Sequence, residues 1–91
     1  MDDNTIKGLI GAAGKAIALA HGREGALERL DTLETRDGFR EFLEGVELGM
    51  AEPSRTEFIE AVTAEDRWED WRSQLAASAN VQYHEFISPS A

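Results

Sequence analysis

Apolar positions recur along this chain at spacings of three and four, the pattern of helices that bury one stripe each. The first run, Ile6, Leu9, Ile10, Ala13, Ile17 and Ala20, predicts a helix that begins at Asp3, Asn4 or Thr5 and stops at Gly22. Each of those three starting residues can cap free backbone N–H groups. Gly8, Gly11, Gly14 and Ala18 fall outside that stripe, together with Lys7 and Lys15. A glycine inside a helix costs about 1 kcal/mol relative to alanine, so three of them imply the close approach of another backbone, a partner or a ligand.

Residues 22–25, Gly-Arg-Glu-Gly, then separate this helix from a short second one carrying Ala26, Leu27, Leu30 and Leu33. The spelling matches the G-x-x-G loop of KH domains, but that loop belongs to a mixed α/β fold whose strands are not predicted here, and Glu24 would repel phosphate. Thr35 is expected to cap a third helix with Asp37 in its first turn, and Phe39, Phe42, Leu43, Val46 and Met50 form its apolar stripe. Pro53 closes that element, and Ser54 with Glu57 reads as a capping box opening a fourth helix with Phe58, Ile59 and Val62 on its inner face. Thr63 with Asp66 repeats the signal more weakly before a fifth stripe of Trp68, Trp71, Leu75 and Ala79. The last two helices also read as one bent helix. Residues 81–87 fit a helical continuation through Tyr83 and Phe86, or a short strand, with helix favoured. Residues 88–91 are expected to fray. The expectation is one all-α domain spanning residues 1–91, a bundle of four to five short helices.

Composition narrows the functional classes. Apolar residues make up 42% of the 91 residues, too many for a disordered tail, while 30% are charged, so the helices must be amphipathic. Without cysteine, disulfides, thiolate metal sites and thiol nucleophiles are excluded together. The acidic start, Met1-Asp2-Asp3-Asn4, is unlike a basic leader, and no apolar run approaches the roughly 20 residues of a membrane span, which leaves cytoplasmic residence without membrane contact as the expectation. A formal net charge of −9 opposes free binding to nucleic acid, because that binding rests on Lys and Arg neutralising phosphates.

Catalytic motifs are missing: there is no H-E-x-x-H, no G-x-S-x-G and no P-loop. His21 precedes Gly22, where an imidazolium suits a helix C-terminus, and His84 is expected on the surface or partly packed. The densest carboxylate group is Glu65, Asp66, Glu69 and Asp70, paired at one-turn spacing; it reads as a solvated face or a protein contact before it reads as a site for a hard cation. Trp68 and Trp71 are expected in the core. No cofactor, metal or small-molecule substrate is expected.

Charge is also uneven. Residues 1–46 hold nine acidic and six basic side chains, and residues 47–91 hold nine and three, so the net charge of the second part, −6, is twice that of the first, −3. Lys7, Lys15, Arg23, Arg29, Arg36 and Arg40 are candidates to gather on one side of the bundle, with Glu57, Glu60, Glu65, Asp66, Glu69 and Asp70 on another. Such asymmetry suits a subunit wedged between a polyanion and a basic protein.

Within the segment from Gly22 to Met50, Ala26-Leu27-Glu28-Arg29-Leu30 followed by Thr35-Arg36-Asp37-Gly38-Phe39-Arg40-Glu41-Phe42-Leu43 resembles the helical small subunits of class 1 CRISPR effector complexes, some of which are equivalent to the C-terminal helical part of the large subunit. The likeness covers about half the chain and is one of helix order and length. It implies a non-catalytic subunit packed along an RNA-guided complex, touching larger subunits and helping to hold nucleic-acid strands only inside that complex. Lys7, Gly8, Gly11, Gly14, Lys15, Arg29, Arg36 and Arg40 are then the positions able to approach a partner or a strand. The alternative is a stand-alone acidic inhibitor that offers Glu57, Glu60, Glu65, Asp66, Glu69 and Asp70 to a basic protein where phosphates would lie. A small metal-dependent enzyme and a homodimeric regulator are the remaining classes.

Overall fold

The computed structural model describes the backbone of residues 1–87 and the side chains of residues 1–80; the expected frayed tail lies outside the described residues. Four helices follow one another: α1 Asp3–Asp31, α2 Arg36–Gly45, α3 Ser54–Val62 and α4 Trp68–Ile87. There is no strand among the described residues, and residues 81–87 continue α4.

Helix α1 is capped by Asp2, one residue before the three expected candidates Asp3, Asn4 and Thr5, its carboxylate accepting the Thr5 N–H at 2.8 Å. It is broken at Gly22, whose φ of 74° and ψ of 165° lie in a region open to glycine alone. The contacts on either side show what the break does. Asp3 meets Arg67, Ile10 accepts a hydrogen bond from Ser78, and Gly14 lies against Ser78 and Ala79, so the first arm runs parallel to α4. Beyond the break, Arg23 meets Asn80 and Leu30 meets Arg72, so the second arm runs back along α4 in the opposite sense. The chain therefore reverses at one glycine, and α4 lies along both arms. The separator expected over residues 22–25 shrinks to Gly22, because helical backbone resumes at once.

The core is one cluster. Ile6, Ile10, Ala13, Ile17, Ala26 and Leu30 of α1 bury with Phe39, Leu43, Phe58, Ile59, Val62, Trp71, Leu75 and Ala79. Three positions of the first arm depart from the periodic reading: Gly14 and Ala18 are buried and Ala20 is exposed. Leu48, which belongs to no helical stripe, is wholly buried from the loop after α2. That loop then crosses the first arm, with Gly49 at φ 73° so near that a Cβ there would lie 3.4 Å from the Ala12 carbonyl oxygen.

Helix starts are partly as expected. Thr35 accepts the Gly38 N–H at 3.0 Å and caps α2. The capping box at Ser54 and Glu57 does not form, because Pro53 precedes α3 with helical backbone angles and Ser54 is already in the helix. Glu52 takes the role instead, its carboxylate accepting the Thr56 N–H at 2.8 Å and the Thr56 hydroxyl at 2.7 Å. Thr63 does not open a helix either. It is buried, ends α3, and turns its hydroxyl back to the Ile59 carbonyl at 2.6 Å. Helices α3 and α4 are consequently separate.

Candidate protein-docking surface

The arginines are turned to the structure's own backbone. A helix ends with carbonyls that lack partners and carry the negative pole of its dipole, so a cation there is favoured. Arg72 of α4 donates to the Leu30 carbonyl near the end of α1 at 2.9 Å. Arg55 of α3 donates to the carbonyls of Leu43, Glu44 and Val46 at the end of α2, at 3.0, 2.9 and 3.2 Å. Arg36 of α2 donates to the Thr63 carbonyl at the end of α3, at 3.3 Å. Three helix ends are thus each closed by an arginine from a different helix, which ties capping to tertiary packing.

The remaining arginines divide between ion pairs, one hydrogen bond to a neutral amide and one exposed group. Arg67 meets Asp3 at 2.9 Å with its guanidinium 4.6 Å from the Trp71 ring centre, Arg40 lies 3.7 Å from Glu44, and Arg23 donates to the Asn80 side chain. Arg29 is exposed, and its guanidinium makes no hydrogen bond or ion pair among the described residues. Of the candidates for a basic face, Arg23 meets the Asn80 side chain, Arg36 the Thr63 carbonyl and Arg40 the Glu44 carboxylate, each within the chain.

The carboxylates do the reverse. Glu57, Glu60, Glu65, Asp66, Glu69 and Asp70 are all exposed, on α3, on the turn after it and on the first turn of α4. Every other acidic side chain among the described residues is exposed as well. Among the described residues, no group of three or more His, Asp or Glu is arranged to hold a metal ion. The Asp3 carboxyl is held below its ordinary value of 3.8 by the Arg67 hydrogen bond, Glu52 below 4.5 by the Thr56 hydroxyl and then the Thr56 N–H, and Asp2 below 3.8 by the Thr5 N–H. In each the charged form is the one that makes the contact.

The glycines of α1 separate into two kinds. Gly14 is buried, and a Cβ there would lie 2.8 Å from Ser78 Cβ and 2.9 Å from the Ala79 nitrogen, so it serves the packing of α1 on α4 and cannot face a partner. Gly8 and Gly11 have open space where a Cβ would be, and Lys7 and Lys15 beside them are exposed. Leu19, 55% exposed, lies on the same outward side of the helix.

His21 stands at the reversal, its ring 6.1 Å from that of Phe42. It makes no hydrogen bond among the described residues, so the expected capping role is not seen. Three shallow depressions border it, one with Gly25, Glu28, Arg29 and Thr32, a second reaching Gly38, Phe42 and Gly45, a third over residues 22–25. Their walls mix both charges. His84 lies outside the described side chains. Trp71 is buried as expected, while Trp68 is half-buried, 6.3 Å from the Phe39 ring and covered by Arg72.

Reading the sequence missed Arg55, Arg67, Arg72 and Glu52 as ordering residues. The signal available was the scarcity of cations: nine Lys and Arg serving a bundle whose helix ends all need closing. No helix among the described residues is long and apolar enough to cross a membrane. Comparison with known proteins gives no match to any family model, curated protein or solved structure.

Proposed function

We propose that this chain is a non-catalytic helical binding module, a subunit or adaptor of a larger assembly, that docks its acidic α3–α4 surface on a basic protein. One observation carries the reading: most arginines are engaged within the chain while the described carboxylates stay outside. A surface so sorted attracts a cationic protein over a distance of about 10 Å at moderate salt and repels phosphate. Glu57, Glu60, Glu65, Asp66, Glu69 and Asp70 are the contact set. The likeness to CRISPR small subunits gives the assembly a specific form, a scaffold beside larger subunits, with Lys7, Gly8, Gly11 and Arg29 placed to touch a strand within it.

The same sorting of charge favours a second reading, a stand-alone inhibitor that occupies the nucleic-acid groove of a basic enzyme. Gentle purification of the tagged chain from its native host at low salt, with identification of co-purifying proteins and nucleic acid, separates the two. A stoichiometric multi-protein assembly, with or without guide RNA, supports the subunit. A single basic enzyme that DNA displaces supports the inhibitor. Recovery of the chain alone overturns both.

A further inference from the structure

The reversal at Gly22 links two helical arms by one residue, and their relative direction is held by α4, which lies along both, and by the loop after α2 that crosses the first arm. Residues 3–21 and 23–31 are helical up to their junction, and Gly22 alone departs, at φ 74° and ψ 165°. If Gly22 took helical angles, α1 would become one straight helix of 29 residues, about 44 Å long at 1.5 Å per residue. The local sequence resists this only by the roughly 1 kcal/mol that a helical Gly22 costs relative to alanine, since Ala20, His21, Arg23 and Glu24 all tolerate helix and no proline is near.

Straightening takes the first arm away from α4, because α4 follows the hinge in the chain and stays with the second arm. The first arm then exposes Ile6, Ile10, Ala13, Ile17 and Ala18, which are buried in the closed form. It leaves behind a groove on α4 shaped to receive them, with Ser78 placed to donate to the Ile10 carbonyl, Arg67 placed to meet Asp3, and the Ala79 backbone placed to accept a residue without a side chain. The complement of that groove is residues 3–21 of this same sequence.

We propose that Gly22 is the hinge of an arm exchange, in which two copies straighten α1 and each lays its residues 3–21 on the α4 of the other. The partner is a second copy because the contacts to be remade are the specific ones already seen within one chain. A link of a single residue between two helices favours such exchange, since it can continue as straight helix while the other contacts are restored across the pair. The closed hairpin depends on glycine, the residue for which these angles carry least penalty. This inference is independent of the acidic docking surface.

The test replaces Gly22→Ala in the full chain. Alanine penalises the hairpin and favours the straight helix in both copies, which should tighten the dimer by at least about 30-fold over the parent chain. Light scattering across a concentration series reads the mass, and circular dichroism should show helix retained. A second variant with two glycines inserted after Gly22 relaxes the turn and should remain a monomer. To locate the exchange, one Gly22→Ala chain carrying Asp3→Cys is mixed with another carrying Arg67→Cys, the parent sequence having no cysteine. A covalent link between the two copies through a bifunctional thiol reagent, long enough to replace the arginine-to-carboxylate reach, is the expected result. A Gly22→Ala chain that stays a native-like monomer, one that unfolds, or a dimer in which the reagent forms no such link each overturns the proposal.

Discussion

Alanine placed at three glycines of one helix should produce opposite effects, and the sign at each follows from what its new methyl group meets. In a helix, alanine gains about 1 kcal/mol over glycine. At Gly8 and Gly11 a Cβ has nothing within 4 Å, so Gly8→Ala and Gly11→Ala should each stabilise by about 0.5–1 kcal/mol. At Gly14 the new Cβ would sit 2.8 Å from Ser78 Cβ and 2.9 Å from the Ala79 backbone nitrogen. The second atom cannot rotate away, so α1 and α4 must separate. Overpacking of this kind costs about 1–3 kcal/mol. Moving Ser78 also endangers its 3.1 Å bond to the Ile10 carbonyl, worth about 0.5–1.5 kcal/mol. Setting these losses against the helix gain leaves Gly14→Ala less stable by about 0.5–3.5 kcal/mol. With a urea slope near 1 kcal/mol/M for a chain of this size, the unfolding midpoint followed by circular dichroism should fall by about 2 M for Gly14→Ala and rise for the other two. A Gly14→Ala midpoint equal to or above that of the parent would refute the packing of α1 on α4 described above.

Arg55→Met removes the donor that serves the Leu43, Glu44 and Val46 carbonyls and should cost about 1–3 kcal/mol by the same urea assay. Thr35→Ala removes the α2 cap and should cost about 1 kcal/mol, whereas Ser54→Ala, which caps nothing, should leave stability within about 0.5 kcal/mol. Since Asp3 has its carboxyl held below 3.8 by Arg67, the stability this contact adds is whole above that ordinary value and is lost as pH falls through the lowered one. Asp3→Asn should therefore lose less melting temperature on acidification from neutrality than the parent does; an equal loss would show that the pair does not couple to folding. Because the chain carries a net charge of −9 on exposed carboxylates, its melting temperature should rise as salt screens their repulsion.

Helical class and most buried positions were legible in the sequence, because the periodicity of Phe39 with Leu43, or Trp71 with Leu75 and Ala79, is a local property that tertiary structure only has to accept. The reversal was visible as a stop at Gly22, but its direction was not, since that depends on which helix covers both arms. Leu48 was illegible for a related reason: it is buried by a loop crossing α1, and loops carry no period. The candidate surface was half legible. Six exposed carboxylates on α3, the turn after it and the start of α4 could be counted on from their charge, but the fate of the arginines could not, because Arg55 and Arg72 reach backbone carbonyls 9–12 and 42 residues away in the chain. Gly14 shows the limit most sharply, being indistinguishable from Gly8 and Gly11 until α4 is laid against it.

The most direct test of the acidic docking surface compares the parent chain with a variant in which Glu57, Glu60, Glu65 and Glu69 become Gln and Asp66 and Asp70 become Asn. Circular dichroism first establishes that the variant keeps the fold, as exposed positions should allow. Affinity for the protein recovered with the parent chain is then measured calorimetrically while salt is raised from about 0.1 M to about 1 M, which shortens the screening length from about 10 Å to about 3 Å. The account predicts parent binding that weakens steadily with salt and variant binding that is lost at every concentration. Equal affinity of parent and variant, unmoved by salt, would contradict it.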